Sequence, residues 1–173
     1  MIVELVTEFE SSKKIKINRT TSPKLYPLRY KNEEIRNHFI DSNGDIYSLR
    51  HNSTDGYYYY KKKPYAVNGY PQILVSLKKG DKKLKHIVCH IAACEMFVKK
   101  PLPTGVTKKE WNAAAESIKK CFEHYWEVNH IDNNTYNYHP SNLEWVSRRE
   151  NIDKHHEKLR LSKLKATSNK GKK

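Results

Sequence analysis

Two periodicities divide the chain. Between residues 37 and 88, apolar and polar positions alternate in short runs broken by turn formers. Alternation of this kind predicts half-buried strands, since successive side chains of a strand face opposite ways. Asn43-Gly44 sits between two such runs, Phe39-Ile40 and Ile46-Tyr47-Ser48-Leu49, and predicts a hairpin. A second hairpin is expected at Lys78-Lys79-Gly80-Asp81, between Gln72–Leu77 and Leu84–Val88. Beyond Val98 the pattern changes. Lys99 to Gly105 reads as a loop by its two prolines and glycine. Thr107 with Glu110 forms a capping box, and Trp111, Ala114, Ala115, Ile118, Phe122 and Tyr125 recur at helical spacing. One helix over about 107–125, packed on the core, is expected; a face for protein or DNA is the alternative. Glu127-Val128 ends an apolar run, Leu143-Glu144-Trp145-Val146 reads as another short strand, and Ser147 with Glu150 is a second capping box. That box predicts a helix through Asn151 to about Leu164.

The fold class that follows is α+β: a small N-terminal antiparallel β module, then a strand–loop–strand–helix core with added helices. The boundaries read from the pattern are 1–36 (an extension), 37–88 (β-rich), 89–125 (helical connection), 126–160 (the core) and 161–173 (a basic flexible tail). In the extension, Ile2–Val6 has strand character and a polar, basic link with Pro23 and Pro27 follows. The start of the chain lacks the pattern of a signal peptide, and no apolar run reaches the ~18 residues of a membrane span. Cys89, Cys94 and Cys121 make an odd number without a CxxC pair, which fits a reducing cytoplasm and helix-core thiols rather than a disulfide framework or structural zinc.

The chemistry concentrates between Val128 and Asn151, VNHIDNNTYNYHPSNLEWVSRREN. His130 stands where the first strand should end, and an imidazole that titrates near neutral pH suits a general base. Asn129 and Asn151 offer amide oxygens, hard donors that suit Mg²⁺ or Mn²⁺ rather than zinc. Asn142 can hydrogen-bond across the loop and keep the base oriented. Asn151 lies about one turn inside the capped helix, where an anionic phosphate is favoured. Taken singly, each Asn is an ordinary cap or turn former and His130 an ordinary surface histidine. The order of the four, followed by a capped helix, carries the reading.

The segment resembles the HNH nuclease motif, in the version found in phage-type HNH homing endonucleases where asparagine replaces the last histidine. NHID, N, NLEWV and EN lie in register without a gap. The resemblance implies a ββα-metal finger in which Asn129 and Asn151 hold a single divalent ion, His130 is the general base and Asn142 orders the loop. Many relatives carry Asp before the catalytic His; Asn129 here makes both protein ligands neutral, so metal affinity without DNA should be weak. Asn133 occupies a position where Gly is common, and Asn tolerates the left-handed backbone this asks for. His155, four residues beyond Asn151, shares its helix face and is an accessory candidate. The segment Lys85–Phe97 is similar to the strand and helix that precede the motif in this family, which adds His90. Phe39–Arg50 is similar to the family's small N-terminal β module.

Charge agrees with a polyanionic partner. The chain carries 33 Lys and Arg against 19 Asp and Glu, net +14, and half of that excess falls between Arg148 and Lys173. Candidate contacts to double-stranded DNA are Arg50, Tyr58, Lys61, Lys62, Lys63, Lys78, Lys79, Arg148, Arg149, Lys154 and Lys158. Around Tyr57–Lys63, alternate tyrosines serve equally well as sheet packing or as DNA contacts. The expected protein is a metal-dependent DNA endonuclease, monomer or weak dimer, acting in a host cytoplasm if phage-encoded, with no membrane and no small-molecule cofactor. A DNA-binding regulator that has lost cleavage, or an RNA-directed nuclease, remains the alternative.

Overall fold

A tight turn at Lys31-Asn32, both at positive φ (51° and 63°), sets the first strand pair. Two successive left-handed residues are what a two-residue hairpin loop needs. It joins β1 (Leu25–Tyr30) to β2 (Glu33–Asp41), antiparallel, with the register shifting between Pro27 and Arg29. The computed structural model describes residues 23–54, 56–76, 84–122 and 125–170. The expected strand at Ile2–Val6, the turn at Lys78–Asp81 with Lys78 and Lys79, and residues 171–173 lie outside these.

The β module begins at Leu25, not at 37. β2 continues through the Asn43-Gly44 turn into β3 (Ile46–Asn52), and β4 (Gly56–Lys61) completes a four-stranded sheet in the order β1-β2-β3-β4. The turn is a three-residue loop: Gly44 N–H donates to Asp41 O, Asp41 N–H to Asp45 O, and Gly44 takes φ +85°. A glycine is required there twice over. A Cβ at Gly44 would stand 2.9 Å from the Tyr138 carbonyl oxygen and 3.1 Å from Ala93 Cβ. Asp41, buried, caps the loop by accepting from Asn43 N–H, Asp45 N–H and the Tyr47 hydroxyl.

A second sheet follows: β5 (Tyr65–Val67), β6 (Tyr70–Ser76) and β7 (Leu84–Val88), in that order and antiparallel. Asn68 and Gly69, both at positive φ, turn β5 into β6. α1 (Cys89–Phe97) follows directly from β7 and packs on β1, β6 and β7. Its buried face is Cys89, His90, Ala92, Ala93 and Cys94, and the small residues among them, all but His90, let the helix approach closely. With Leu28, Ile35, Ile40, Ile46, Ile73, Val75 and Ile87 they form the core. Burial of one such Val or Ile side chain is worth about 1.5–3 kcal/mol.

The single helix expected over 107–125 is two short ones, α2 (Lys108–Ala113) and α3 (Glu116–Cys121). Ala114 and Ala115 between them are extended, with ψ 141° and 149°. The break lets the Trp111 and Phe122 rings meet edge to face at 5.7 Å. In one straight helix their eleven-residue separation would be roughly 16 Å. Neither helix has a buried residue, so the expected packing on the core is not seen, and Cys121 is exposed. The Thr107–Glu110 capping box is present. β8 (Trp126–His130) and β9 (Leu143–Ser147) form a two-stranded sheet, and α4 (Arg148–Lys170) continues as helix where a flexible tail was expected from 161. The chain divides into two compact units, Met1–Lys99 with His130–Glu144, and Lys100–Asn129 with Trp145–Lys173.

Candidate active site

In the first unit, His130 ends β8 with 6% of its surface exposed, and its Nε2 has no hydrogen-bond partner among the described residues. An orphaned, buried imidazole nitrogen is uncommon, because an unmet polar atom costs free energy. Burial lowers the His130 pKa from its ordinary value, and the Asp132 carboxylate opposes that shift. The imidazole is therefore favoured neutral, the state in which it accepts a proton.

The loop after His130 is ordered by two side chains. Asn142, buried in the 3₁₀ turn Pro140–Asn142, accepts from Asp132 N–H through Oδ1 (3.0 Å). Its Nδ2 donates to Asp132 Oδ1 (2.9 Å) and to the Asn137 carbonyl (2.8 Å). Its own carbonyl accepts from Ile131 N–H. Asp132 also accepts from Asn137 Nδ2 and Asn134 N–H, and these bonds hold its pKa below the ordinary value. Asp132 is thus a second hub of the loop, which sequence reasoning read only as a turn former. Asn133 takes φ 61°, the left-handed conformation anticipated for it.

His90, at the start of α1, lies with its ring centroid 4.8 Å from that of His130, and its Nδ1 is also buried without a partner. Burial, and secondarily the nearness of His130, pull its pKa down to about 4. Tyr70 flanks both rings, at 5.0 Å from His90 and 6.3 Å from His130. The β5–β6 turn just before Tyr70 is tied to the motif loop by the Thr135 hydroxyl, which donates to the Gly69 carbonyl (2.7 Å). No periodicity signalled Tyr70. The β2–β3 turn braces the same loop, since the Tyr138 hydroxyl donates to Asp45 Oδ1 (3.2 Å).

In the second unit, Ser147 and Glu150 form the expected capping box at the start of α4. Asn151 lies in the first turn and a half, and its Nδ2 donates to Glu127 Oε2 on β8 (2.7 Å). That bond orients the amide and leaves Oδ1 as the atom available to a ligand. Glu127 is another residue that spacing did not single out. Asn129 lies half-buried on β8. His155 is exposed on α4 beside His156. Arg148, Arg149, Lys154 and Lys158 are exposed along the same helix. Among the described residues no group of three or more His, Cys, Asp and Glu could hold a metal ion. The oriented Asn151 amide oxygen and that of Asn129 fit a hard divalent cation, which takes oxygen donors and keeps several waters.

On the four-stranded sheet, Arg50 is opposite Tyr58 and its guanidinium stacks on the Tyr60 ring at 4.0 Å. Tyr59 packs edge to face on Phe39 and Tyr57 on His51. Alternate tyrosines therefore pack one face while Tyr58 and Tyr60 lie on the other. Lys61 pairs with Asp45 at 2.6 Å, Lys62 is half-buried and Lys63 exposed.

Residues 88–152 match the HNH endonuclease family. No curated protein matches the chain. A solved structure, of DNA binding and cleavage by the HNH homing endonuclease I-HmuI, is similar to 79% of this chain at 19% identity and a TM-score of 0.41. The chain spans 65% of the length of that nuclease chain. No helix of the described residues is long and apolar enough to cross a membrane.

Proposed function

We propose that the chain is a divalent-metal-dependent DNA endonuclease of the homing type. It hydrolyses phosphodiester bonds of duplex DNA to leave 5′-phosphate and 3′-hydroxyl ends. The observation that carries this is His130: a buried, neutral-leaning imidazole with an unpartnered Nε2, in a loop pinned by Asn142. His130 Nε2 accepts a proton from water as the water oxygen attacks phosphorus in line and the bond to the 3′ oxygen breaks. Asn142 positions the base by fixing the backbone on either side of Ile131 and Asp132. Asn129 and Asn151 would hold one Mg²⁺ or Mn²⁺, and Glu127 orients the second of them. When bound, that ion supplies Lewis-acid stabilisation of the charge that develops on the phosphate and the departing oxygen. Arg148, Arg149, Lys154 and Lys158 contact phosphates, as do Arg50 and Lys62. One motif per chain means one strand cut per engagement.

Incubation with supercoiled DNA in Mg²⁺, Mn²⁺ or EDTA, beside a His130→Ala control, tests the reading. Metal-dependent nicked circles, lost in the variant while DNA binding persists, are expected. Salt-sensitive duplex binding without nicking in either metal, over several target DNAs, would replace the nuclease by a binding module. Preference for structured RNA in competition would redirect it to RNA.

A further inference from the structure

The hydrogen bonds that order the motif loop stop at its backbone. Asn142 fixes the chain at Ile131 and Asp132, but none of these bonds reaches the His130 ring. Among the described residues neither ring nitrogen of His130 makes a hydrogen bond, and Nε2 is buried. A histidine ring turns about a broad, roughly two-fold side-chain torsion, so a fixed backbone does not settle where its nitrogens point. What surrounds the imidazole is other rings. His90 stands edge to face with it at 4.8 Å and 63°, and Tyr70 lies 6.3 Å away at 32°. Tyr70 and His90 are themselves 5.0 Å apart, so the three rings close a triangle. All three separations fall within the about 4.5–7 Å over which aromatic rings attract.

Tyr70 is well placed to act as a fixed wall. It opens β6 directly after the Asn68-Gly69 turn, whose residues take φ 50° and 79°. The Gly69 carbonyl accepts from the Thr135 hydroxyl, so the turn is tied to the loop that follows His130. Gln72 pairs with Val88 across β6 and β7, which brings Tyr70 and the start of α1 to the same end of the sheet. Core packing does not account for a tyrosine here. Pro71, Ile73 and Val75 of β6 are buried, whereas Tyr70 is 39% exposed and its hydroxyl makes no hydrogen bond among the described residues. The part of Tyr70 that meets the imidazoles is its ring.

We propose that Tyr70 is a positioning residue of the active site: its ring, together with that of His90, holds the His130 imidazole in one orientation. The proposal rests on the reading of His130 as general base. Rings suit the task because, unlike a hydrogen-bonded neighbour, they leave Nε2 without a competing partner and ready for a proton from water.

Single-turnover nicking by the full chain is measured with protein saturating, so that affinity drops out of the rate, and duplex affinity is measured beside it. Tyr70→Ala should slow nicking of bound DNA about tenfold with affinity unchanged, and Tyr70→Phe, which restores the ring, should recover most of the loss. A second readout needs neither metal nor DNA: carbon relaxation of the histidine rings by NMR. In the parent the His130 ring should be as rigid as the backbone, and in Tyr70→Ala its motion should approach that of the exposed His155 ring. Three results overturn the proposal. Weaker affinity with an unchanged rate on bound DNA would make Tyr70 a DNA contact. A Tyr70→Phe chain as slow as Tyr70→Ala would make the hydroxyl the acting group. A His130 ring that stays rigid in Tyr70→Ala would show that other contacts hold it. If thermal melts show that Tyr70→Ala fails to fold, Tyr70→Leu, which keeps bulk on the strand but not the flat face, takes its place in both measurements. A parent chain that does not nick, with its His130 ring loosened in the variant, would sink the nuclease reading and leave the ring contact standing.

Discussion

At the scale of single residues, Asn142 and His90 make opposite demands. Asn142 needs both ends of its amide: the oxygen accepts from the Asp132 backbone while the nitrogen donates to Asp132 Oδ1 and the Asn137 carbonyl. Asn142→Asp keeps the shape but loses both donations and sets a second carboxylate against Asp132. Its expected cost is about 1–3 kcal/mol in urea unfolding at neutral pH, with loss of nicking, and stability at the parent value would refute this account of the loop. His90 needs only to stay neutral. Its folded pKa of about 4 lies below the ordinary 6.5 that the unfolded chain restores. Between those values the unfolded chain binds a proton that the folded one refuses, so stability falls as pH drops through this window. The loss approaches about 3 kcal/mol near pH 4 and adds nothing above 6.5. Urea unfolding at pH 7 and at pH 4.5 should therefore show a smaller difference in His90→Gln than in the parent chain.

At the scale of elements, legibility followed the range of the interactions. The capping box of Ser147 and Glu150 is a dialogue three residues long, so the start of α4 could be read directly. Ser147→Ala should cost about 1 kcal/mol in denaturant unfolding, and an unchanged midpoint would mean that α4 does not depend on its cap. The Asn43-Gly44 turn was legible for the same reason, and so was the left-handed Asn133. What escaped depended on distant partners or on weak punctuation. Lys31-Asn32 is not a residue pair that announces a hairpin, and Pro27 argued against a strand, although it sits where the β1–β2 register shifts. The break at Ala114-Ala115 was hidden because helical spacing continues through it, and only the meeting of Trp111 with Phe122 accompanies it. At the candidate site, Asn142 bridging the loop could be read. Glu127 beside Asn151, Tyr70 beside His130 and Asp132 as a loop hub could not, because each arises from chain segments brought together by folding.

For the whole molecule the governing quantity is charge. A net +14 on 173 residues gives attraction to any polyanion, and that attraction alone is weak evidence about chemistry. Its distribution is more informative. α4 carries Arg149 and Lys158 on exposed surface, far in sequence from Lys85, the last lysine of the β strands, and in a different compact unit. Each cation that meets a DNA phosphate releases counterions, so affinity falls linearly in log salt with a slope of about −0.9 per phosphate. If α4 lies along the backbone, Arg149→Gln with Lys158→Gln should reduce that slope by about 2, equally on cognate and random duplexes, because phosphates carry no sequence. Affinity measured from low to moderate salt on both duplexes provides the check. An unchanged slope would leave α4 solvated and shift the electrostatic footprint to the β module. A loss confined to one duplex would instead make these side chains readers of base edges.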